Sequence, residues 1–283
     1  MKIQIPTTQV DTFEQMALAP ELMTALEKMN VTKPTAIQAQ AIPLIIEGSD
    51  MIGVAQTGSG KTLAFALSTL TRLANKPTSR TLILAPSREM AQQIHKVMSE
   101  LCVDLEISTC LAIGGIPSDK QTKQLKKNPR VVIATPGRMN DHLVNNKLLL
   151  QNVETVIIDE ADRMLDMGFA PQLKNIQRTL RGTWQTLMFS ASFSKAVESI
   201  AEVFMKDSVY MVRAGKTEIP VTTLKQKVLF LDRDMKNDRL LDELNATKGG
   251  VIVFTVSQER CEEVGGYLES YGFYSDIVHG NLS

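Results

Sequence analysis

Short runs of Val, Ile and Leu alternate with amphipathic segments through most of the chain. The apolar runs predict strands at residues 51–55, 81–85, 107–111, 131–134, 156–159 and 186–190. The amphipathic segments predict helices at residues 21–29, 36–46, 61–72, 88–101, 118–126, 170–180 and 194–203. Continuous apolar strands that alternate with helices are typical of a parallel sheet covered by helices on both faces. The pattern therefore predicts an α/β fold.

A polar stretch at residues 213–222 interrupts this alternation and contains Gly215 and Pro220, which indicates a linker. It separates a first domain, residues 1–212, from a second at residues 223–283. In the second, the pattern predicts strands at 225–231, 251–254 and 275–278 and helices at 235–246 and 257–270. Independent α/β domains usually have on the order of 100–150 residues. We therefore expect an incomplete second domain, and a chain that is poorly soluble or a fragment of a longer protein.

Composition and charge narrow the possible functions only slightly. The 31 Lys and Arg residues balance 31 Asp and Glu residues, so any nucleic-acid binding must depend on a local patch. Charge alone favours a neutral enzyme with a small-molecule substrate. The apolar runs are too short to cross a membrane, and the first residues lack the apolar stretch of a signal peptide. Three scattered cysteines without metal-ligand spacing fit a reducing compartment, so we expect a cytoplasmic location.

A glycine-rich segment lies between the strand predicted at 51–55 and the helix predicted at 61–72, where a phosphate-binding loop belongs. It consists of Ala55, Gln56, Thr57, Gly58, Ser59, Gly60, Lys61 and Thr62. The glycines allow a tight turn that aims backbone N–H groups at phosphate oxygens, and Lys61 supplies a cation for the outer phosphates. The Thr62 hydroxyl is a candidate ligand for Mg²⁺. The alternative is a glycine-rich turn without chemistry, which this strand-to-helix setting disfavours.

Two adjacent carboxylates, Asp159 and Glu160, end the apolar strand predicted at 156–159. Ligands of parallel α/β sheets bind at the carboxyl ends of the strands. Asp159 is therefore a candidate to hold Mg²⁺, and Glu160 is a candidate to orient or deprotonate an attacking water. In isolation such a pair more often caps a helix. The phosphate-binding loop in the same chain favours the catalytic interpretation.

Asp159-Glu160-Ala161-Asp162, together with residues 55–62, resembles the DEAD-box family of ATP-dependent RNA helicases. The resemblance implies a RecA-like P-loop domain followed by a partial second RecA-like domain, with ATP and Mg²⁺ as cofactors. It also implies that Lys61, Asp159 and Glu160 are catalytic. Residues 57–62 would contact the nucleotide, with Thr62 and Asp159 at the metal.

The segment 33–38 resembles the Q motif of this family, in which a glutamine amide recognises adenine. The resemblance assigns that role to Gln38, places Lys33 beside the nucleotide, and gives Phe13, 25 residues before Gln38, the role of stacking on the base. Asn30 and Val31 stand where the family usually has Gly and an aromatic residue, and Ala36 stands where it often has Pro. Without the other motifs, Gln38 would be a surface helix residue and Phe13 a core aromatic.

Further resemblances concern RNA. The family's RNA-contacting motifs correspond to residues after three predicted strands, namely Pro86, Arg88, Gly114, Gly115, Thr135, Pro136, Gly137 and Arg138. Close-approach glycines, a hydroxyl and arginines suit a sugar–phosphate backbone and do not recognise base sequence. The alternative for the arginines is a pair of solvated charges.

Ser190-Ala191-Ser192 resembles the motif that couples hydrolysis to strand separation, with Ser192 in place of Thr. Since Thr and Ser both carry a hydroxyl, we expect the coupling link from Asp162 through Ser190 and Ser192 to be retained. The alternative is a strand end with helix-capping serines.

Residues 251–255 and His279-Gly280 resemble the opening motifs of the second domain, and the family's later arginine-rich motifs do not occur within the 283 residues. The resemblance implies an RNA helicase that clamps RNA and unwinds duplexes locally, although this chain alone is expected to be inactive in unwinding. Two alternatives remain. One is a nucleotide- and RNA-binding module with little turnover, because arginine fingers contribute about three to five orders of magnitude. The other is a DNA-directed P-loop motor, which Gln38 and the literal Asp-Glu-Ala-Asp disfavour.

Overall fold

The computed structural model of the chain describes residues 1–6, 10–214, 225 and 227–280, apart from the side chains of residues 147 and 148. The strands are β1 (Lys2–Gln4), β2 (Met51–Ala55), β3 (Arg80–Leu84), β4 (Thr109–Ala112), β5 (Val131–Ala134), β6 (Val153–Ile158), β7 (Gln185–Ser190) and β8 (Ser208–Ala214). The α-helices are α1 (Pro20–Lys28), α2 (Ala36–Ile46), α3 (Lys61–Asn75), α4 (Arg88–Cys102), α5 (Ser118–Leu125), α6 (Pro136–Asn145), α7 (Ala161–Asp166), α8 (Ala170–Thr179), α9 (Lys195–Phe204), α10 (Lys236–Ala246) and α11 (Gln258–Ser270). The chain divides into two compact units, Met1–Ile219 and Pro220–Ser283.

All strands of the described residues lie in the first unit and form one parallel sheet, in the order β1-β8-β2-β7-β6-β3-β5-β4. Parallel neighbours cannot be joined by hairpins, so a helix crosses over between most successive strands. The α/β fold predicted from the apolar pattern is therefore confirmed.

The core lies on both faces of this sheet, because successive side chains of a strand point to opposite sides. In β2, Met51 and Ala55 pack into the cluster that includes residues of α1 to α4, whereas Ile52 and Val54 pack into the cluster that includes residues of α6, α8 and α9. A strand buried on both faces must be apolar throughout, which is why β2 is a continuous apolar run.

The predicted strands and helices of the first unit agree with the structure to within three residues at each end. Four elements were not predicted. β1 is a short edge strand of exposed residues, so it carries no apolar pattern. α7 has only six residues, and α6 begins at Pro136, inside a segment interpreted solely as a motif. β8 contains an apolar run that would have identified it, and its last two residues extend into the predicted linker.

The second unit contains α10 and α11, close to their predicted positions. The strands predicted at 225–231, 251–254 and 275–278 are absent from its described residues, so that prediction was wrong. A strand is held by ladder bonds to a neighbour, and no described segment of this unit provides them. Many apolar side chains of these segments are exposed, among them Ile252 (81%) and Phe254 (91%). Residues 215–224, most of the predicted linker, lie outside the described residues.

No helix within the described part of the chain has the length and apolar character needed to cross a membrane.

Candidate functional site

The glycine-rich loop connects β2 to α3 at the carboxyl edge of the sheet. Gly58 and Gly60 have φ angles of 82° and 94°, in the left-handed region that favours glycine. A Cβ atom on Gly60 would lie 2.5 Å from Nε2 of Gln38, so glycine is also required there by close packing. Ala55, by contrast, ends β2 and is not among the described residues with positive φ, so it needs no glycine.

Lys61 is the first residue of α3, and its side chain is directed into the loop. The residue is 6% exposed, and Nζ donates to the carbonyl oxygens of Ala55 and Gln56 at 2.7 and 3.2 Å. These neutral acceptors are weaker partners for an ammonium than anionic phosphate oxygens. The arrangement keeps a cation within the loop, where it can exchange carbonyl contacts for phosphate contacts.

A cavity of about 610 Å³ opens at this loop. Its walls include Thr57, Gly58, Gly60, Lys61, Thr62, Asp159 and Glu160. The Ser59 hydroxyl is buried without a hydrogen-bond partner among the described residues. A buried hydroxyl without a partner is costly, so the loop has unused capacity to bind a polar ligand. The cavity also extends along α4, past Met90, Ile94 and Val97, which the motifs did not predict.

Asp159 follows β6 and is 3% exposed. Burial penalises its charged form and raises the pKa of the carboxyl to about 6, although the nearby Lys61 charge opposes the shift. One carboxyl oxygen accepts the Glu160 backbone N–H at 3.1 Å. A buried acidic group beside a phosphate-binding loop is suited to a cation.

Glu160 immediately precedes α7 and has a positive φ of 52°. Its side chain makes no capping hydrogen bond to α7 within the described residues, which argues against the helix-capping interpretation. Instead, Oε2 accepts from Nη1 of Arg163 at 2.8 Å, and Oε1 lies 3.5 Å from the Thr57 hydroxyl. The carboxylate thus lies across from the phosphate-binding loop, where a general base or water-orienting group would act.

Asp162, which follows β6, forms hydrogen bonds with the end of β7 and the segment after it. Its Oδ2 accepts from the backbone nitrogens of Ala191 and Ser192 at 3.1 and 3.0 Å and from the Ser192 hydroxyl at 3.2 Å. Its backbone N–H donates to the Ser190 hydroxyl at 3.3 Å. Ser192 stands where the motif has Thr, and its hydroxyl, the group that the two residues have in common, forms one of these hydrogen bonds.

Two of the residues predicted for the adenine base, Gln38 and Phe13, are buried. Gln38 is 2% exposed, accepts from the Thr35 backbone N–H at 2.9 Å, and donates to the Gly60 carbonyl at 3.1 Å. Its amide thus caps α2 and bonds to the phosphate-binding loop. Phe13 is 3% exposed and packs in the core cluster, while Lys33 is exposed. In this arrangement only Lys33 is open to a ligand.

Two departures from the Q motif have local explanations. Asn30 follows the end of α1 with φ of 56°, and asparagine tolerates this left-handed conformation better than most residues other than glycine. Ala36 is the first residue of α2, a position where proline is common but not required.

The residues predicted to contact RNA follow three adjacent strands, β3, β5 and β4, and most of them line one cavity of about 470 Å³. Its walls are Pro86, Ser87, Arg88, Glu89, Gly114, Thr135, Gly137, Arg138, Asp141, Met167 and Phe169. Gly115 and Pro136 are adjacent in sequence to lining residues but do not line the cavity. The motifs did not predict Met167 and Phe169, which follow α7 and give one wall apolar character.

Helix starts and arginines define the chemistry of this second cavity. α4 begins at Arg88 with the Ser87 hydroxyl accepting from the Met90 backbone N–H at 3.2 Å, and α6 begins after Thr135. The amino end of a helix carries a partial positive charge that favours phosphate. Arg138 donates to the Ile116 carbonyl at 3.0 Å. Two arginines, Arg88 and Arg138, line this cavity together with the carboxylates of Glu89 and Asp141.

Known proteins resemble this chain over nearly its full length. A family model described as DEAD/DEAH box helicase matches residues 35–200. The ATP-dependent rRNA helicase rrp3 of Aspergillus niger is 38% identical over 278 residues, covering 97% of this chain and 60% of that protein. The ATP-dependent rRNA helicase RRP3 of Candida glabrata is 37% identical, covering 96% and 56%. The chain thus spans about 60% of the length of the curated relatives it matches.

Among solved structures, the crystal structure of a DEAD box protein from the hyperthermophile Methanococcus jannaschii matches 97% of this chain and 74% of that chain. The TM-score is 0.69 and the sequence identity is 28%.

Proposed function

Since the chain belongs to the DEAD/DEAH box helicase family, we propose that its first unit binds ATP with Mg²⁺ in one cavity and an RNA backbone in the other. The whole protein would use ATP binding to clamp RNA and separate duplex strands locally, and hydrolysis to release them. This chain lacks part of its relatives' length, and we expect it to be inactive in unwinding on its own.

The observation that carries the proposal is the set of bonds from Asp162 to Ser190, Ala191 and Ser192. Asp162 lies two residues after Glu160, and the Glu160 side chain lies beside the phosphate-binding loop. Ser192 follows β7, which lies between β2 and β6 in the sheet. The segment that senses the nucleotide is therefore bonded directly to a second segment at the same edge, as coupling between hydrolysis and RNA binding requires.

The side chains at the first cavity fit a metal–nucleotide complex. The Ser59 hydroxyl lacks a described partner, Lys61 provides a cation, and Thr62 and Asp159 provide oxygen ligands of the kind Mg²⁺ prefers. Burial raises the pKa of Asp159, and a divalent cation beside the carboxylate would favour its charged form. When bound, Mg²⁺ supplies positive charge to the phosphate oxygens.

For catalysis, we assign to Glu160 the orientation or deprotonation of the attacking water. Its two oxygens face Arg163 and Thr57, so one must exchange its present partner for water. The Arg163 side chain is 61% exposed but the Glu160 side chain only 7%, so the ion pair opens only if water or a ligand replaces the hydrogen bond to the buried carboxylate.

For the base, Gln38 and Lys33 remain the proposed contacts. Gln38 already bonds to the loop that would hold the phosphates, so adenine recognition requires its amide to exchange a partner. Phe13 can stack on a base only if its ring leaves the core.

RNA is the proposed substrate class, contacted through sugar and phosphate. Arg88, Arg138 and the first turns of α4 and α6 recognise phosphate and hydroxyl groups common to all RNA sequences. The relatives named above are rRNA helicases. That name is consistent with an RNA substrate for this chain.

The cytoplasm is the compartment that we propose. Burial raises the pKa of Cys102 to about 12 and of Cys110 to about 11, so both thiols are chemically inert, as expected for structural cysteines in a reducing compartment.

The test is RNA-stimulated ATP hydrolysis by the 283-residue chain and by a chain extended to the length of its relatives. We expect stimulation of the extended chain by single-stranded RNA and not by DNA of the same sequence. Equal stimulation by DNA would favour the DNA-directed motor instead. Equal hydrolysis by the short chain would mean that the two-domain mechanism is wrong. A Glu160→Gln variant of the extended chain controls for contaminating ATPases.

A further inference from the structure

The loop at residues 113–117, between β4 and α5, packs directly against Arg88. A Cβ atom on Gly114 would lie 2.8 Å from Nη2 of Arg88, and one on Gly115 would lie 2.9 Å from Nη1. Gly115 also has a φ of 82°, which fixes a tight turn. Because the guanidinium rests on this glycine backbone, the position of the loop determines the position of Arg88.

Gln121 of α5 holds this loop from the protein interior. The residue is 1% exposed and does not line the second cavity. Its Nε2 donates to the Ile113 carbonyl at 2.7 Å and lies 3.4 Å from the Ile116 carbonyl. One buried amide thus contacts both ends of the Gly114-Gly115 turn.

His142 of α6 orients the Gln121 amide. The residue is 3% exposed, and its Nε2 lies 3.1 Å from Oε1 of Gln121. Because the Gln121 nitrogen donates to carbonyl oxygens, its oxygen must face a donor, so His142 carries its hydrogen on Nε2. Burial lowers the pKa of His142, which favours this neutral form. The other ring nitrogen lies 3.4 Å from the Thr122 hydroxyl.

Arg138 lies one helical turn before His142 and donates to the same Ile116 carbonyl. If Arg138 turns to a phosphate, it gives up that contact. Gln121 then remains as a donor to the loop, so the loop can keep its position while Arg138 changes partner.

We propose that Gln121, oriented by His142, is a positioning residue for RNA binding, which holds the Gly114-Gly115 turn and, through it, Arg88 in the arrangement that receives the sugar–phosphate backbone. The inference rests on the proposed RNA-binding function. Neither residue touches RNA in this scheme; both act through the loop.

The test compares Gln121→Met with Gln124→Met. Methionine has about the same length as glutamine and is also uncharged, but it can neither donate to the carbonyls nor accept from His142. Gln124 lies on the same helix, but it is exposed, so Gln124→Met controls for the substitution itself. A second pair is His142→Gln, which keeps a donor near the position of Nε2, and His142→Leu, which removes it.

Three quantities are measured on the 283-residue chain: the Kd for a labelled oligouridine at several salt concentrations, the Kd for a fluorescent ATP analogue, and amide hydrogen exchange in residues 113–117. For Gln121→Met and His142→Leu we expect about a tenfold weaker RNA affinity, a shallower salt dependence and faster loop exchange. ATP-analogue affinity should be unchanged. Gln124→Met and His142→Gln should behave like the unmodified chain.

RNA affinity of Gln121→Met equal to that of Gln124→Met overturns the inference, as does loop exchange that stays unchanged. If Gln121→Met does not fold, the His142 pair decides by the same criteria. If the unmodified chain binds the ATP analogue but no RNA, the proposed function is wrong. Faster loop exchange in Gln121→Met would then show that Gln121 holds the turn but has no role in RNA binding. That result also overturns the inference.

Discussion

Asp162 accepts two hydrogen bonds from Ser192, one from the backbone nitrogen at 3.0 Å and one from the hydroxyl at 3.2 Å. Both reach the same carboxylate oxygen, which also accepts from the Ala191 backbone nitrogen at 3.1 Å. Because Asp162 follows β6 and Ser192 follows β7, these bonds join neighbouring segments at the carboxyl edge of the sheet. A displacement of either segment must change the bonds of the other.

Asp162→Ala should weaken the coupling between nucleotide and RNA. It removes the shared acceptor while leaving the phosphate-binding loop intact. In a chain extended to the length of the relatives, we expect ATP-analogue affinity to be retained, and the gain in RNA affinity caused by the analogue to fall about tenfold. Asp166→Ala, an exposed change on the same helix, is the control. An undiminished gain in Asp162→Ala would refute the coupling role.

Lys61→Ala should abolish ATP binding. The substitution removes the buried ammonium group, whose Nζ donates to carbonyl oxygens of the loop. Charge-assisted hydrogen bonds contribute roughly 3 kcal/mol, so a loss of about a hundredfold or more is expected. Titration with a fluorescent ATP analogue measures it, and Lys28→Ala, which removes an exposed lysine paired with Asp104, is the control. Unchanged affinity for the ATP analogue would contradict the assignment of the loop.

Glu160→Gln should stop hydrolysis while ATP and RNA still bind. The amide keeps the size of the side chain but cannot accept a proton from water. General bases contribute about 10²–10⁴-fold, so turnover by the extended chain should fall by that amount. Steady-state phosphate release measures turnover, and Glu202→Gln, an exposed change on α9, serves for comparison. Normal turnover in Glu160→Gln would exclude the general-base role.

Periodicity predicted six of the eight strands in the described sheet, because strands such as β2, β3, β5 and β7 are buried on both faces and must be apolar, and it missed β1 and β8, which are partly exposed. It was not sufficient for the second unit, where the predicted strand at 251–254 lacks a ladder partner among the described residues and is not formed. The motifs predicted that the glycine-rich loop and the two carboxylates lie together, and they line one cavity, because both follow strand ends at the same edge of the sheet.

The placement of Gln38 and Phe13 was beyond sequence reasoning. Whether Gln38 faces a ligand or bonds to Gly60 depends on how closely α2 approaches the loop, and that distance is set by packing between distant segments. The network of Gln121 and His142 was missed for the same reason. Neither residue belongs to a recognised motif, and their contacts with the loop depend on tertiary structure.

Asn30 gives a test of the Q-motif departure. Asn30→Gly should leave the free energy of unfolding nearly unchanged, because glycine adopts a φ of 56° without strain. Asn30→Ala should lower the free energy of unfolding by about 1 kcal/mol. Urea unfolding of the two variants measures the difference. Equal stability of the Ala and Gly variants would mean that the left-handed conformation is not maintained in solution.

Asp159→Asn should stabilise the chain in a manner that depends on pH. Burial raises the pKa of Asp159 from 3.8 to about 6, so the folded state favours the protonated form. Below about pH 4 the group is neutral in both states and has no effect. Between about pH 4 and 6 the unfolded state ionises while the folded state keeps the proton, and above pH 6 the folded state holds a buried charge. About 3 kcal/mol of stability relative to a neutral side chain is lost across that range.

The amide oxygen of asparagine can still accept the Glu160 backbone N–H, so the comparison isolates the charge. Urea unfolding of both proteins from pH 4 to pH 8 with a chelator present should show the advantage of Asp159→Asn growing between pH 4 and 6 and then remaining level. An advantage that is constant with pH would mean that Asp159 titrates normally. Its burial would then not support the proposal that a cation binds beside the phosphate-binding loop.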